Sequence, residues 1–158
     1  DSFGTNWRMT EIQSVLGRIQ IKRMPEWHKA RLANANKIWD AAKQLPGLRV
    51  PEVPADIIHA AYKCYVFVEP TQLKDGWDRD RIMNEISARG VPAFSGSCSE
   101  VYLEKAFDNT PYRPKESLPI AKELGETSLM FLVHPTLSDA EIDKTIAILT
   151  EVMQEATA

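Results

Sequence analysis

Cysteine, histidine, glycine and surplus positive charge are all scarce in this 158-residue chain, and each scarcity excludes something. Cys64 and Cys98 have no nearby partners, and a chain of this length buries a core without covalent staples, so no disulfide framework is expected. A reducing cytoplasm is the expected compartment. His28, His59 and His134 fall on a helix, a connector and a strand end, without the short spacings of a zinc site, and read as three unrelated structural or surface histidines. Nineteen basic residues against 22 acidic ones leave a formal charge of −3, too little positive field to hold a nucleic acid. The most apolar run, near residues 128–133, falls far short of the roughly 20 residues that cross a bilayer, so a soluble protein is expected.

The few glycines also carry little chemistry. Gly90 and Gly96 do not form a phosphate-cradling fingerprint, because the spacing and a following Lys-Ser/Thr are missing. Asp75, Asp78 and Asp80 imitate a metal loop only in part, since Trp77 and Arg79 intervene and no later Glu completes the pattern. Negative charge at a helix start explains them better. The opening Asp1-Ser2-Phe3-Gly4-Thr5-Asn6 holds neither an initiating Met nor a signal core, and reads as cut from something longer.

What remains is an ordinary core-forming composition, 44% hydrophobic and 26% charged. Thr10 and Gln13 form a capping pattern ahead of Ile12, Val15, Leu16 and Ile19, which predicts a helix over residues 9–23. Pro25 suits the first position of a second helix, whose stripe of Trp27, Ala30, Asn34, Ile38, Ala41 and Leu45 ends at Pro46-Gly47. The expectation is a helix, a sharp joint and another helix. Residues 47–56 carry prolines and no period, and read as an extended connector.

Strands are expected over 61–68, 91–94 and 128–134, where β-branched and aromatic residues gather. Helices are expected over 78–89, closed by Gly90, and 118–124, with one or two helical turns in 100–107. A last helix follows the capping box of Ser138 and Glu141. The predicted architecture is α+β: a small, mostly antiparallel three-stranded sheet with helices on one face, preceded by a long kinked helical pair. Residues 1–45 form the motif loop and helical pair, and residues 46–158 the small domain. The pair has more apolar length than such a sheet covers, so it is expected to lie against another domain or subunit.

One segment stands apart. In Asn6-Trp7-Arg8-Met9-Thr10-Glu11-Ile12-Gln13 an amide, an aromatic and an arginine precede a helix start, where backbone donors and the positive dipole end favour an anion. The same residues also read as a turn, a cap and a solvated arginine.

Together with Gly17, Gln20, Pro25-Glu26-Trp27 and Arg31, that string resembles the start of the C-terminal portion of DegT-type sugar aminotransferases. The strand at Tyr62 to Val68, Arg79-Asp80, Gly90-Val91 and the Ser128-Leu129 strand with Pro135 follow the family's order over nearly the whole chain. The resemblance implies a pyridoxal-phosphate enzyme of the aspartate-aminotransferase fold type (fold type I), acting on nucleotide-linked keto sugars as a homodimer. It implies that Asn6 holds the cofactor phosphate of the neighbouring subunit with Arg8 close by, and that the Schiff-base lysine lies in an N-terminal domain absent from this chain. None of the ten lysines suits that role; Lys63 is read as an outward-facing strand lysine.

Where many family members have a His-Tyr pair after Gly-Ile, this chain has Phe94-Ser95-Gly96-Ser97-Cys98-Ser99-Glu100-Val101-Tyr102. The resemblance turns this loop toward the sugar nucleotide, making Ser95, Ser97, Glu100 and Tyr102 candidate substrate contacts. A surface loop shaped by Gly96 is the alternative. Three functions stay open: an aminotransferase with glutamate as donor, inactive as this fragment; a deoxysugar dehydratase of the same family, whose members lack the lysine; or a non-enzymatic binding or regulatory module. Surface polysaccharide or antibiotic synthesis is the expected setting.

Overall fold

A computed structural model describes residues 7–157. The first helix, α1 (Glu11–Ala42), is a single 32-residue element. Thr10 accepts from the Gln13 amide while the Gln13 side chain takes the Thr10 amide, so the predicted capping box is present.

The expected joint is not. Pro25 lies inside α1, and the helix runs through it. Proline removes the hydrogen bond to the Ile21 carbonyl, but Ile21 and Pro25 are both exposed, so water can satisfy that carbonyl. Continuation is then decided by the second half of α1, where Asn34, Ala35, Ile38, Trp39 and Ala42 are buried.

The connector also hides an element. Strand β1 (Leu48–Arg49) pairs antiparallel with β2 (Cys64–Val68), matching Leu48 with Val68 and Arg49 with Phe67. Two residues are too short to show a period, which is why this edge strand escapes sequence reading. After β2 come α2 (Arg79–Ala88), capped by the Asp78 side chain on the Arg81 amide, and β3 (Ala93–Phe94). Two 3-10 turns at Val101–Leu103 and Lys105–Phe107 precede α3 (Pro119–Thr127), which leads directly into β4 (Ser128–Phe131). The chain closes with α4 (Asp139–Ala156) behind the capping box of Ser138 and Glu141.

The fold is α+β as expected, with four strands rather than three, in the order β1-β2-β4-β3 and antiparallel throughout. Alternation along β2 buries Cys64, Val66 and Val68, and the register sets Val66 opposite Leu129 and Cys64 opposite Phe131. These side chains meet Ile38 of α1, Ile82 and Ile86 of α2, and Ile142, Leu149 and Met153 of α4 in one core. Each of the larger ones contributes roughly 1.5–3 kcal/mol by leaving water.

The other face of β2 carries Tyr65 and Phe67. Trp39 Nε1 donates to the Tyr65 carbonyl at 2.9 Å, which locks α1 to the sheet. The first half of α1 has no such support: Ile12, Val15, Leu16, Ile19, Ile21 and Met24 are all exposed, as is Met9 just ahead of it. Among the described residues no helix is long and apolar enough to cross a membrane.

Candidate functional site

The sequence-predicted residues fall into two separate groups. Asn6 lies outside the described residues. Arg8 is exposed just ahead of α1. The capping box occupies the Gln13 amide, and the amides of Glu11 and Ile12 remain among the first-turn donors that a helix cannot pair with itself.

The second group is the loop after β3. Ser95, Ser97 and Cys98 are exposed, and the backbone of this loop is fixed from beneath. Ser128 Oγ donates to the Ser95 carbonyl at 2.6 Å, and the Ser97 amide donates to the Tyr65 hydroxyl at 3.2 Å. Gly96 sits at φ +92°, where a side chain is strained, and a Cβ there would stand 2.5 Å from Tyr65 Cε1. Glycine is needed here because the loop rests directly on the tyrosine ring.

Glu100 and Tyr102 are engaged with each other. The Tyr102 hydroxyl donates to Glu100 Oε1 at 2.6 Å and accepts from the Leu118 amide at 2.8 Å, while Ser117 Oγ donates to the same Glu100 oxygen at 2.7 Å. Hydrogen bonds from Tyr102 and then Ser117 hold the Glu100 carboxyl below its usual range, so it is a carboxylate that accepts and does not donate. Tyr102 is buried. This lock closes the loop at 117–118 and borders a cavity of about 580 Å³ that Ser95, Ser97, Glu100 and Lys105 help to line.

Residues outside the predicted set prove central to the geometry. Arg79, only 15% exposed, donates to the Gly125 carbonyl at 3.1 Å and the Ser128 carbonyl at 2.9 Å, tying the start of α2 to the α3–β4 junction that carries the loop. Lys63 is half-buried rather than simply outward, and its Nζ lies 3.4 Å from Ser97 Oγ. His28 and His59 are linked: His28 Nε2 lies 2.9 Å from the His59 carbonyl, and only as a donor can it make this contact. His59 Nδ1 in turn accepts from the amide of Ala61, a buried residue at φ +47°. The sequence signals were Lys63 as the one charge in an apolar strand, and Arg79 beside a helix cap.

Arg8 and the loop lie at separate places in the fold. Glu11 stands about 25 Å along the axis of α1 from His28, at 1.5 Å per residue, and His28 contacts the segment that borders the loop. No group of three or more His, Cys, Asp or Glu is placed to hold a metal ion among the described residues.

The described residues thus form an antiparallel sheet that carries a loop wall, with a long helix projecting from it and Arg8 ahead of that helix. The family model of the DegT/DnrJ/EryC1/StrS aminotransferase family matches residues 1–150, and the chain belongs to that family. The solved structure of an aminotransferase from Psychrobacter cryohalolentis is 56% identical, covering 98% of this chain and 41% of that one, with a TM-score of 0.85. A dTDP-3-amino-3,4,6-trideoxy-alpha-D-glucose transaminase of Streptomyces venezuelae is 26% identical over 85% of this chain and 33% of its own length. A dTDP-4-dehydro-2,6-dideoxy-D-glucose 3-dehydratase of Saccharopolyspora spinosa is 21% identical over 98% of this chain and 33% of its own. The chain thus spans well under half of these relatives.

Proposed function

We propose that the full-length protein is a pyridoxal-phosphate-dependent aminotransferase that transfers an amino group from glutamate to a keto nucleotide sugar, and that residues 1–158 are its C-terminal portion, inactive alone. Family membership and the 56%-identical aminotransferase support the reaction class. The dTDP-sugar relatives support the substrate class. A homodimer, a cytoplasmic setting and a role in polysaccharide biosynthesis belong to the same reading.

The observation that carries it is the bare first half of α1. An apolar helix reaching beyond its own core, with Arg8 at its tip, requires a covering surface. The upstream domain and a second subunit supply it, and Arg8 with Asn6 then reaches the neighbouring subunit's cofactor phosphate through charge-assisted hydrogen bonds. The division into residues 1–45 and residues 46–158 belongs to the same proposal, with the second half of α1 packed into the core of the small domain.

The lysines fit the same assignment. None of the ten is buried, so none has the desolvated pocket that makes a lysine nucleophilic at neutral pH. That group belongs to the upstream domain. Bound pyridoxal phosphate supplies an electron sink for proton removal at the amino-bearing carbon. This chain's residues bind and orient: Asn6 and Arg8 hold the phosphate, Ser95 and Ser97 donate to sugar or phosphate oxygens, and the locked pair of Glu100 and Tyr102 shapes the wall and offers a carboxylate to a sugar hydroxyl.

The test incubates the full-length protein with pyridoxal phosphate, glutamate and dTDP- or UDP-linked 3- and 4-keto sugars. Formation of 2-oxoglutarate with an equal amount of amino sugar is expected. The dehydratase relative motivates a second reading, in which a deoxysugar appears without 2-oxoglutarate. Neither product, together with no cofactor absorbance, leaves only a binding or regulatory module.

A further inference from the structure

A small cavity of about 270 Å³ opens beneath the functional loop, lined by His59, Ala60, Tyr62, Lys63, Tyr65 and Ser97 among others. Its walls include no Asp or Glu side chain. Lys63 makes no ion pair among the described residues, although this chain is acidic overall. Its Nζ lies 3.4 Å from Ser97 Oγ and 5.8 Å from the centre of the Tyr62 ring, so one long hydrogen bond leaves the ammonium with donors to spare.

The neighbouring polar groups are donors as well. The Tyr65 hydroxyl accepts the Ser97 amide and gives its own hydrogen to no acceptor among the described residues. His59 Nδ1 accepts from Ala61, which puts the hydrogen of the neutral imidazole on Nε2. Gly96 at φ +92° lets the loop come down onto Tyr65, which is what brings Ser97 over Lys63. A pocket with a cation, several hydroxyl and ring N–H donors, and no carboxylate is built for a multiply charged oxyanion.

We propose that Lys63, Ser97 and Tyr65 form a subsite for the diphosphate of the nucleotide-sugar substrate, with Lys63 as its principal charge. The proposal rests on the substrate class argued above and names the residue that holds its phosphates. The cavity has room for a diphosphate and not for a whole nucleotide sugar, so the sugar extends toward the adjoining wall of Ser95 and Glu100, and the base lies outside. The helix-tip site at Arg8 lies far along α1 and serves the cofactor phosphate instead.

The test uses the full-length protein and isothermal titration calorimetry with dTDP, UDP, inorganic pyrophosphate and pyridoxal phosphate. K63M is expected to weaken dTDP or UDP binding about 10-fold or more and pyrophosphate similarly, while leaving pyridoxal phosphate affinity unchanged. K63R retains the charge and restores most of the affinity, and S97A gives a smaller loss. Lys63 is half-buried and outside the core, so these variants fold; unchanged circular dichroism confirms it. Unaltered dTDP and UDP affinity in K63M overturns the subsite alone. A K63M loss confined to pyridoxal phosphate overturns its assignment to substrate. Wild-type protein that binds neither nucleoside diphosphate overturns the nucleotide-sugar reading, and this subsite with it.

Discussion

Gly96→Ala tests how the loop after β3 is held. At φ +92° an L side chain costs about 1–2 kcal/mol. The new methyl would also stand 2.5 Å from Tyr65 Cε1 and 2.9 Å from its hydroxyl, contacts that real Cβ atoms do not make. Overpacking of this kind costs about 1–3 kcal/mol. If the loop stays in place, the sum is about 2–5 kcal/mol, which for a chain of this size lowers Tm by roughly 4–20 °C. If the loop lifts, stability falls less, but the Ser97 amide loses Tyr65 and Cys98 moves into freer solvent. Urea unfolding of the 158-residue chain measures the first outcome, and the rate of Cys98 labelling by a bulky maleimide the second. Tyr65→Ala removes the ring, so in that background G96A should cost only the backbone share, about 1–2 kcal/mol. A G96A variant within about 0.5 kcal/mol of wild type, with unchanged labelling, would refute the claim that loop and ring are in forced contact.

Other consequences concern the scaffold. Arg79→Met leaves the Gly125 and Ser128 carbonyls without their charged donor and is expected to cost about 2–4 kcal/mol, read as a drop in the urea midpoint; a loss under about 0.5 kcal/mol would show that the arginine does not organise the α3–β4 junction. Lys37 and Asp139 bridge α1 to the start of α4 at 2.6 Å; their hydrogen bond holds the Asp139 carboxyl below its ordinary 3.8 and raises Lys37 above 10.5. The Asp139 contribution is therefore present above about pH 4 and fades as pH falls through its depressed value, while that of Lys37 fades only as pH rises beyond its raised value. Asp139→Asn should flatten the acid limb of a stability profile relative to wild type, and superimposable limbs would contradict the bridge. Burial pushes the Cys64 thiol up to about 12, so Ellman's reagent should modify Cys98 alone in the native chain and both thiols in urea. Two native thiols reacting at one rate would contradict the core assignment.

Local chemistry made part of this structure readable. Thr10 with Gln13, Asp78, and Ser138 with Glu141 mark three helix starts because a cap is decided by residues three apart. The helix at Pro25 was misread because the local cost of proline is real, and the compensation sits in buried contacts of Ile38, Trp39 and Ala42 that no nearby residue reveals. The motif ahead of α1 was legible through family resemblance, since its residues alone read equally as a turn, a cap and a solvated arginine. In the loop, Gly96 announced a special backbone, but the Tyr65 ring beneath it lies 31 residues earlier by sequence number. The same holds for Glu100 and Tyr102: their polar ends stand out in the sequence, but the hydrogen bond from Ser117 that helps to lock them comes from 17 residues beyond Glu100.

The central claim is that the tip of α1 holds an organic phosphate bound by a partner chain. Its most direct test is the affinity of the full-length protein for pyridoxal phosphate, followed by cofactor absorbance, in wild type and in Asn6→Ala and Arg8→Ala. The account predicts a saturable visible-range band in wild type and an affinity loss of about 10-fold or more in the variants, with the oligomeric state unchanged. Equal affinity in all three proteins would contradict it.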